Sequence, residues 1–313
     1  MNDTRNDAPT ADRLKVAAAF AVLYLVWGST YLFIRIGVEH IPPAVLAGLR
    51  FLFAGSGLTI AGFARGGHWP SRRDWITLIV LGVGLVVIGN GVVTWSEQWV
   101  PSGEAAFIVS SSALFIALFG TLGARGERLV PLTVVGLVLG FSGTALMLLP
   151  RIHGQHGPLL PALALVGSSS CWAAAAMFSR SRGFSASPLV FSGLEMLVGG
   201  SILTIIALST GQYGHIHWTW PAAGALAYLT VFGSGLAYGT YNWLIHHAKP
   251  AKLGTTAYVN PAVALLLGWA VLGEDLSPIA LSGVAVMFVG VVLVNLRRRR
   301  RPPRLLTKTG TGA

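Results

Sequence analysis

Two ionisable residues stand inside stretches that are otherwise apolar. Arg50 lies in the stretch 42–62 and Glu195 in the stretch 188–209, each within a few residues of its centre. An ionised side chain at the middle of a bilayer costs about 2.5 to 3.5 kcal/mol on insertion scales, so both must face protein or water rather than lipid. One reading is architectural: the two form an ion pair, or helix ends neutralise each separately. The other is functional, as coupling or gating groups. Glu195 then takes up and releases a proton as coupling ion, and Arg50 biases that equilibrium.

Aromatic and amide side chains supply a second constellation. Trp27, Tyr31, Asn90, Trp95, Trp172, Tyr238, Tyr241, Asn242, Tyr258 and Asn260 all fall within apolar stretches. A binding cavity for an amphipathic small-molecule substrate needs flat apolar walls and a few oriented donors and acceptors, and these residue types provide both. For Trp27 and Trp172, placed away from the stretch ends, cavity lining and core packing fit equally. Trp69, Trp75, Trp99, Trp218 and Trp220 stand near stretch ends, where an interfacial belt is expected. The runs Ser110–Ser112 and Ser168–Ser170 read as helix-packing surfaces.

Chemistry of other kinds finds little support. All eight histidines fall in loops or at the ends of apolar stretches. No catalytic residue, cofactor or metal ion is therefore expected at membrane depth, and an intramembrane enzyme is the weaker reading. A channel or receptor is a further alternative. No lysine lies in a phosphate-binding G-x-x-x-x-G-K-[ST] loop, so the chain itself does not pump with a nucleoside triphosphate. The single cysteine, Cys171, allows no intrachain disulfide.

The elements that hold these residues follow from composition. Charged residues make up 11% of the chain, hydrophobic residues 53%, and the mean hydropathy is +0.66. Lipid, not water, is the main solvent of such a chain. Apolar stretches long enough to span a bilayer as helices are expected at 15–38, 42–62, 75–96, 103–123, 131–149, 158–178, 188–209, 221–245, 255–272 and 278–296. The first is too long for a signal peptide and lacks a small-residue cleavage site, so it reads as an uncleaved span. Of the 22 lysines and arginines, Arg35 and Arg50 lie within spans and Arg151 lies between spans 5 and 6; the other 19 all fall on one side. The positive-inside rule makes that side cytoplasmic, with both termini inside. The net charge of +11 is thus a matter of topology and gives no reason to expect nucleic acid as a partner. The run Arg297–Arg301 reads as an anchor.

A repeat organises the ten spans. At an offset of 145, Trp27 meets Trp172, Arg35 meets Arg180, Pro43 meets Pro188, Gly48 meets Gly193, Gly55 meets Gly200 and Trp75 meets Trp220. At 144, Gly89-Asn90-Gly91 meets Gly233-Ser234-Gly235 and Trp99 meets Trp243; at 147, Gly126-Glu127 and Gly143 meet Gly273-Glu274 and Gly290. Arg50 and Glu195 share the 145 register, so one copy carries plus where the other carries minus. Five helices per copy is odd, so the second copy enters the membrane from the opposite side. The expected fold class is an all-α polytopic membrane protein of ten transmembrane helices in two inverted five-helix repeats, over 1–149 and 150–296, followed by a basic cytoplasmic tail, 297–313. Such geometry suits a secondary transporter working by alternating access around a midplane cavity.

At these same residues the sequence resembles the EamA-type drug/metabolite transporter superfamily. The likeness rests on Trp27-Gly-Ser-Thr-Tyr31 with Arg35, on Gly89-Asn-Gly91 to Pro101-Ser-Gly103, and on Tyr258-Val-Asn-Pro261 to Gly273-Glu274. It covers nearly the whole chain and is greatest for little-characterised inner-membrane permeases. The resemblance implies ten helices in two repeats, a central cavity, and export of amino acids, metabolites or toxic organic compounds. The second copy has Asn260-Pro261 where the first has Ala113 and Leu114, so a break in span 9 need not be mirrored in span 4.

The charge asymmetry predicts that a reporter fused after Thr307 is active only as a cytoplasmic fusion. Activity exclusively outside the cytoplasm would contradict the orientation.

Overall fold

The computed structural model describes residues 10–121, 130–155, 157–181, 187–248, 250–275 and 277–298. All the regular elements among them are helical. We number the long helices α1 (Thr10–Val38), α2 (Pro43–Ala64), α3 (Arg72–Ser96), α4 (Ser102–Phe119), α5 (Pro131–Ile152), α6 (Leu159–Ser181), α7 (Pro188–Ser209), α8 (from Trp220 through His247), α9 (Thr256–Leu272) and α10 (Pro278–Arg298). Stretches of α1 to α8 are long and apolar enough to cross a membrane; α9 and the apolar part of α10 are shorter. Proline opens α2, α5 and α7 and the second position of α8, where the missing N–H is no loss.

Three helices are not uniform. Helix α3 passes through a π-helical stretch, Gly82–Gly91, and α8 through another, Leu229–Leu236. In α3 the wide turn is filled by Asn90, whose Nδ2 donates to the Leu85 carbonyl at 2.8 Å. Helix α4 is interrupted at Ser111, between Ser102–Ser110 and Ser112–Phe119. Helix α9 runs continuously through Pro261. Pro261 comes early in α9, five residues after Thr256, where losing one backbone bond disturbs little.

Glycines set how closely the helices approach. Helices α2 and α7 run antiparallel, and a Cβ on Gly55 would lie 2.8 Å from the Gly193 carbonyl, one on Gly200 3.2 Å from the Gly48 carbonyl. Helices α5 and α10 pair in the same manner through Gly143 against Gly283 and Met287, and Gly136 against Gly290. A third close crossing puts Gly28 of α1 on Val263 and the Asn260 carbonyl of α9. Without a hydrophobic drive between helices in lipid, such backbone approach supplies dispersion contacts that larger side chains prevent.

Trp69, Trp75, Trp99, Trp218 and Trp220 are all exposed.

The seam predicts a contrast between two helical glycines. A Cβ on Gly143 would sit 2.3 Å from the Met287 backbone nitrogen, whereas one on Gly57 meets nothing within 4 Å. Gly143→Leu should therefore lower thermal stability in detergent, consistent with an overpacking cost of about 1 to 3 kcal/mol or more. Gly57→Ala should leave the melting temperature unchanged or slightly raised.

Candidate functional site

Arg50 is 4% exposed, on the face of α2 that meets α8. Its Nε donates to Ser234 Oγ at 2.7 Å, and its guanidinium lies 4.7 Å from the Phe51 ring centre. Ser234 belongs to the π-helical stretch of α8 and is itself buried. Glu195 of α7 is 5% exposed, and its Oε1 accepts no hydrogen bond. The two charges therefore do not form the ion pair that their equal depth suggested. Equivalent register sets depth in the membrane; it does not make two side chains face each other. Tyr238 lies within electrostatic reach of both.

Around this pair the structure assembles part of the aromatic set. The Trp27 indole meets Tyr238 edge-on at 5.9 Å and Tyr241 at 5.2 Å, and its Nε1 donates to the Gly233 carbonyl at 3.3 Å. Tyr31 is within electrostatic reach of Arg50. Other members lie elsewhere. Trp95 packs edge-on against Trp99 at 5.1 Å, and Tyr258 packs against Phe288 at 6.0 Å. Trp172 is 37% exposed and abuts Gly89. Asn260 buries an Oδ1 that accepts no hydrogen bond, and the Asn242 side chain lies outside the described residues.

A cavity of about 1000 Å³ opens at the end of the bundle where α1 begins. Lys15, Arg65, Gly67 and Ser187 ring its mouth, and its wall continues along α8 through Thr240, Gly239, Leu236 and Gly235. Gly235 adjoins Ser234, the partner of Arg50. None of the expected aromatic and amide residues with described side chains lines this cavity. Trp27 stands beside this cavity through its bond to Gly233, two residues from the lining Gly235, and Trp172 is partly exposed.

The opposite end is closed by hydrogen bonds. The buried Arg151 side chain grips Glu104 through two bonds of 3.0 Å and donates also to the Trp99 and Pro158 carbonyls. Glu274, between α9 and α10, accepts from the Ser102 and Gly103 backbone N–H groups and from Ser102 Oγ, satisfying the first turn of α4. Arg35 donates to the Glu97 carbonyl rather than reaching for the interface as its position near a span end suggests. Glu97 itself, one residue beyond the membrane-crossing stretch of α3, is fully buried, and neither carboxylate oxygen accepts a hydrogen bond. Burial, with the Glu274 carboxylate nearby, holds its carboxyl well above the usual carboxylate range. The sequence alone gives no site role to Glu97, Glu104 or Glu274, because each stands at or just beyond the end of a span, where charge is ordinary.

A profile of the EamA-like transporter family matches residues 14–149 and again residues 159–296. The chain belongs to this family. It is 37% identical over 292 residues to the "Uncharacterized inner membrane transporter YedA" of Escherichia coli, covering 93% of this chain and 94% of that protein. The "Probable terminal-alkyne amino-acid exporter" of Streptantibioticus cattleyicolor is 25% identical over 92% of this chain and 96% of its own. The "Probable amino-acid metabolite efflux pump" of Salmonella typhimurium is 23% identical over 87% and 92%. One crystal structure, at 21% identity, matches with a TM-score of 0.60 over 92% of this chain and 99% of that one, which shows the shared fold.

The closed end makes a stability prediction. Arg151→Leu or Glu104→Leu alone leaves a buried charge unmatched and should destabilise by about 3 to 5 kcal/mol, while the double variant should recover much of that loss. Thermal unfolding of the three purified variants measures the coupling; equal loss in singles and double would contradict it.

Proposed function

We propose that this EamA family member is a secondary transporter of small amphipathic solutes of the amino-acid or metabolite class, exporting them by alternating access. The observation that carries the reading is Arg50, held by Ser234 on a π-helical turn where the open cavity ends. π-Helical turns in helices are frequent at functional sites. The names of two relatives support the solute class and the direction. The name of the Escherichia coli relative supports residence in the inner membrane, with both termini cytoplasmic from the charge asymmetry.

The proposed architecture is two inverted repeats, 1–149 and 150–296, with a basic tail. Two matches of one family profile favour this, and so do the helix seams. With Gly48 equivalent to Gly193 and Gly55 to Gly200, a two-fold exchange turns the Gly48–Gly200 contact into Gly193–Gly55, and both exist. The α5–α10 seam behaves likewise. On this reading the structure is the inward-facing state. A solute enters between Lys15 and Arg65 and travels along α8 to Arg50, Trp27, Tyr31, Tyr238 and Tyr241. Glu195 exchanges a proton as coupling ion, and the halves then rock to open the other end.

Flux of amino acids from preloaded proteoliposomes, measured with and without a pH gradient, tests the reading. Glu195→Gln should assemble normally yet lose pH-dependent flux. Arg50→Lys should keep part of the activity and Arg50→Leu none. Because the two groups share no direct bond, Arg50→Leu with Glu195→Leu should not restore transport; full, pH-responsive transport in that double variant would assign the pair to architecture.

A further inference from the structure

Among the described residues at the closed end, Glu97 is a fully buried carboxylate for which the fold provides no hydrogen-bond donor. Its neighbours there are engaged: Glu274 takes three bonds from α4, and Glu104 takes two from Arg151. An isolated ionised carboxylate in such a place carries a desolvation penalty of several kcal/mol, which protonation removes. The groups facing it are Tyr31 and Arg35 from α1, Arg50 from α2 and Glu274 from the α9–α10 connection. Helix α6, packed against the end of α3, brings no ionisable side chain in its first turns, Leu159 to Ser170. Arg35 is committed to the Glu97 main-chain carbonyl, and Arg50 to Ser234.

We propose that Glu97 is a proton-binding site that controls this end of the transporter, binding one proton when the end closes and releasing it when the end opens. The inference rests on the alternating-access reading above but names a site separate from Glu195. In the closed state the neutral acid carries no charge that its donor-free, buried position would have to meet, and none opposes Glu274 as it caps α4. With the end open, water reaches Glu97 and the proton leaves, converting –COOH to –COO⁻. The new charge repels Glu274 and disfavours its return to Ser102 and Gly103. The closed state binds the proton more tightly, so its population rises as pH falls and declines as pH rises. If this end faces the outside, an acidic exterior shifts the protein toward the inward-facing state, and the Glu97 proton returns to the side it came from, so the site controls this end without carrying a proton across.

Infrared difference spectra of the full-length protein in nanodiscs, titrated from about pH 5 to 9, detect the protonated carboxyl directly. A carboxylic-acid carbonyl band that disappears as pH rises is expected in Glu195→Gln, where the other buried carboxyl without a full set of donors has been removed, and is expected to be missing from the Glu97→Gln, Glu195→Gln double variant. Glu274→Gln removes the neighbouring charge and should make the Glu97 proton easier to lose, moving the midpoint down by about one pH unit, a tenfold change in affinity. Nitroxides at Gln155 and Trp218, both exposed at this end, report opening in a Cys171→Ser background. Their separation should grow with pH in the parent and stay at the closed value in Glu97→Gln. A full band in the Glu97→Gln, Glu195→Gln double variant, no pH response in the parent, or an unchanged response in Glu97→Gln would each overturn the proposal. Neither readout involves solute. A protein that passes both yet carries none of the amino acids tested retains the proton site and loses the transport reading.

Discussion

Hydrocarbon offers neither counterion nor hydrogen-bond partner, so each charge this chain buries must be met by its own backbone and side chains. That constraint shapes both ends of the molecule. Arg50 needs Ser234, and Ser234 reaches it from a π-helical turn of α8. Arg151 needs Glu104 and two carbonyls, which draws the ends of α3, α4 and α5 together with the start of α6. Glu274 answers the open N–H groups of α4, and so fixes the α9–α10 connection over the same end. Glu97 lacks such an answer and, in this state, is better neutral than charged.

The bundle combines two kinds of contact with different consequences for motion. The glycine seams of α2 with α7 and α5 with α10 bring backbones together over long stretches, and nothing in them depends on charge or water. They suit an axis that persists while other helices move. The closed end is held by a small number of polar bonds, each of which water can replace. The cavity at the other end is walled mainly by Ala, Gly, Leu and Val side chains, surfaces that close on each other without leaving polar groups unsatisfied. On the proposed alternating-access reading, this is the division between permanent seams and exchangeable closures.

Much of this frame is legible in the sequence. Long apolar stretches, prolines at helix starts, tryptophans at stretch ends and glycines in a common register all report local or pairwise constraints, and the helices lie close to the expected boundaries. The interior of the site is less legible. The π-helical stretches depend on how α3 and α8 pack, which Gly89-Asn90-Gly91 hints at without specifying. Arg50 and Glu195 share a depth but point at different partners. Trp95 and Tyr258 share residue type and span setting with Trp27, yet Trp99 and Phe288 engage them. Ser110–Ser112 read as a packing run, and α4 breaks there while α9 passes through Pro261. Arg151 and Glu104 are separated by 47 positions and meet only in three dimensions.

The central claim is that the cavity beside α8 must close for solute to leave at the other end. It is tested most directly by fixing the cavity at its present width. Ala61 and Gly239 both line it, so cysteines placed there in a Cys171→Ser background can be joined by a reducible bifunctional thiol reagent. Alternating access predicts that solute flux in proteoliposomes stops on cross-linking and resumes when the linker is reduced. Undiminished flux through the cross-linked protein would contradict the account and indicate a path that conducts without closing.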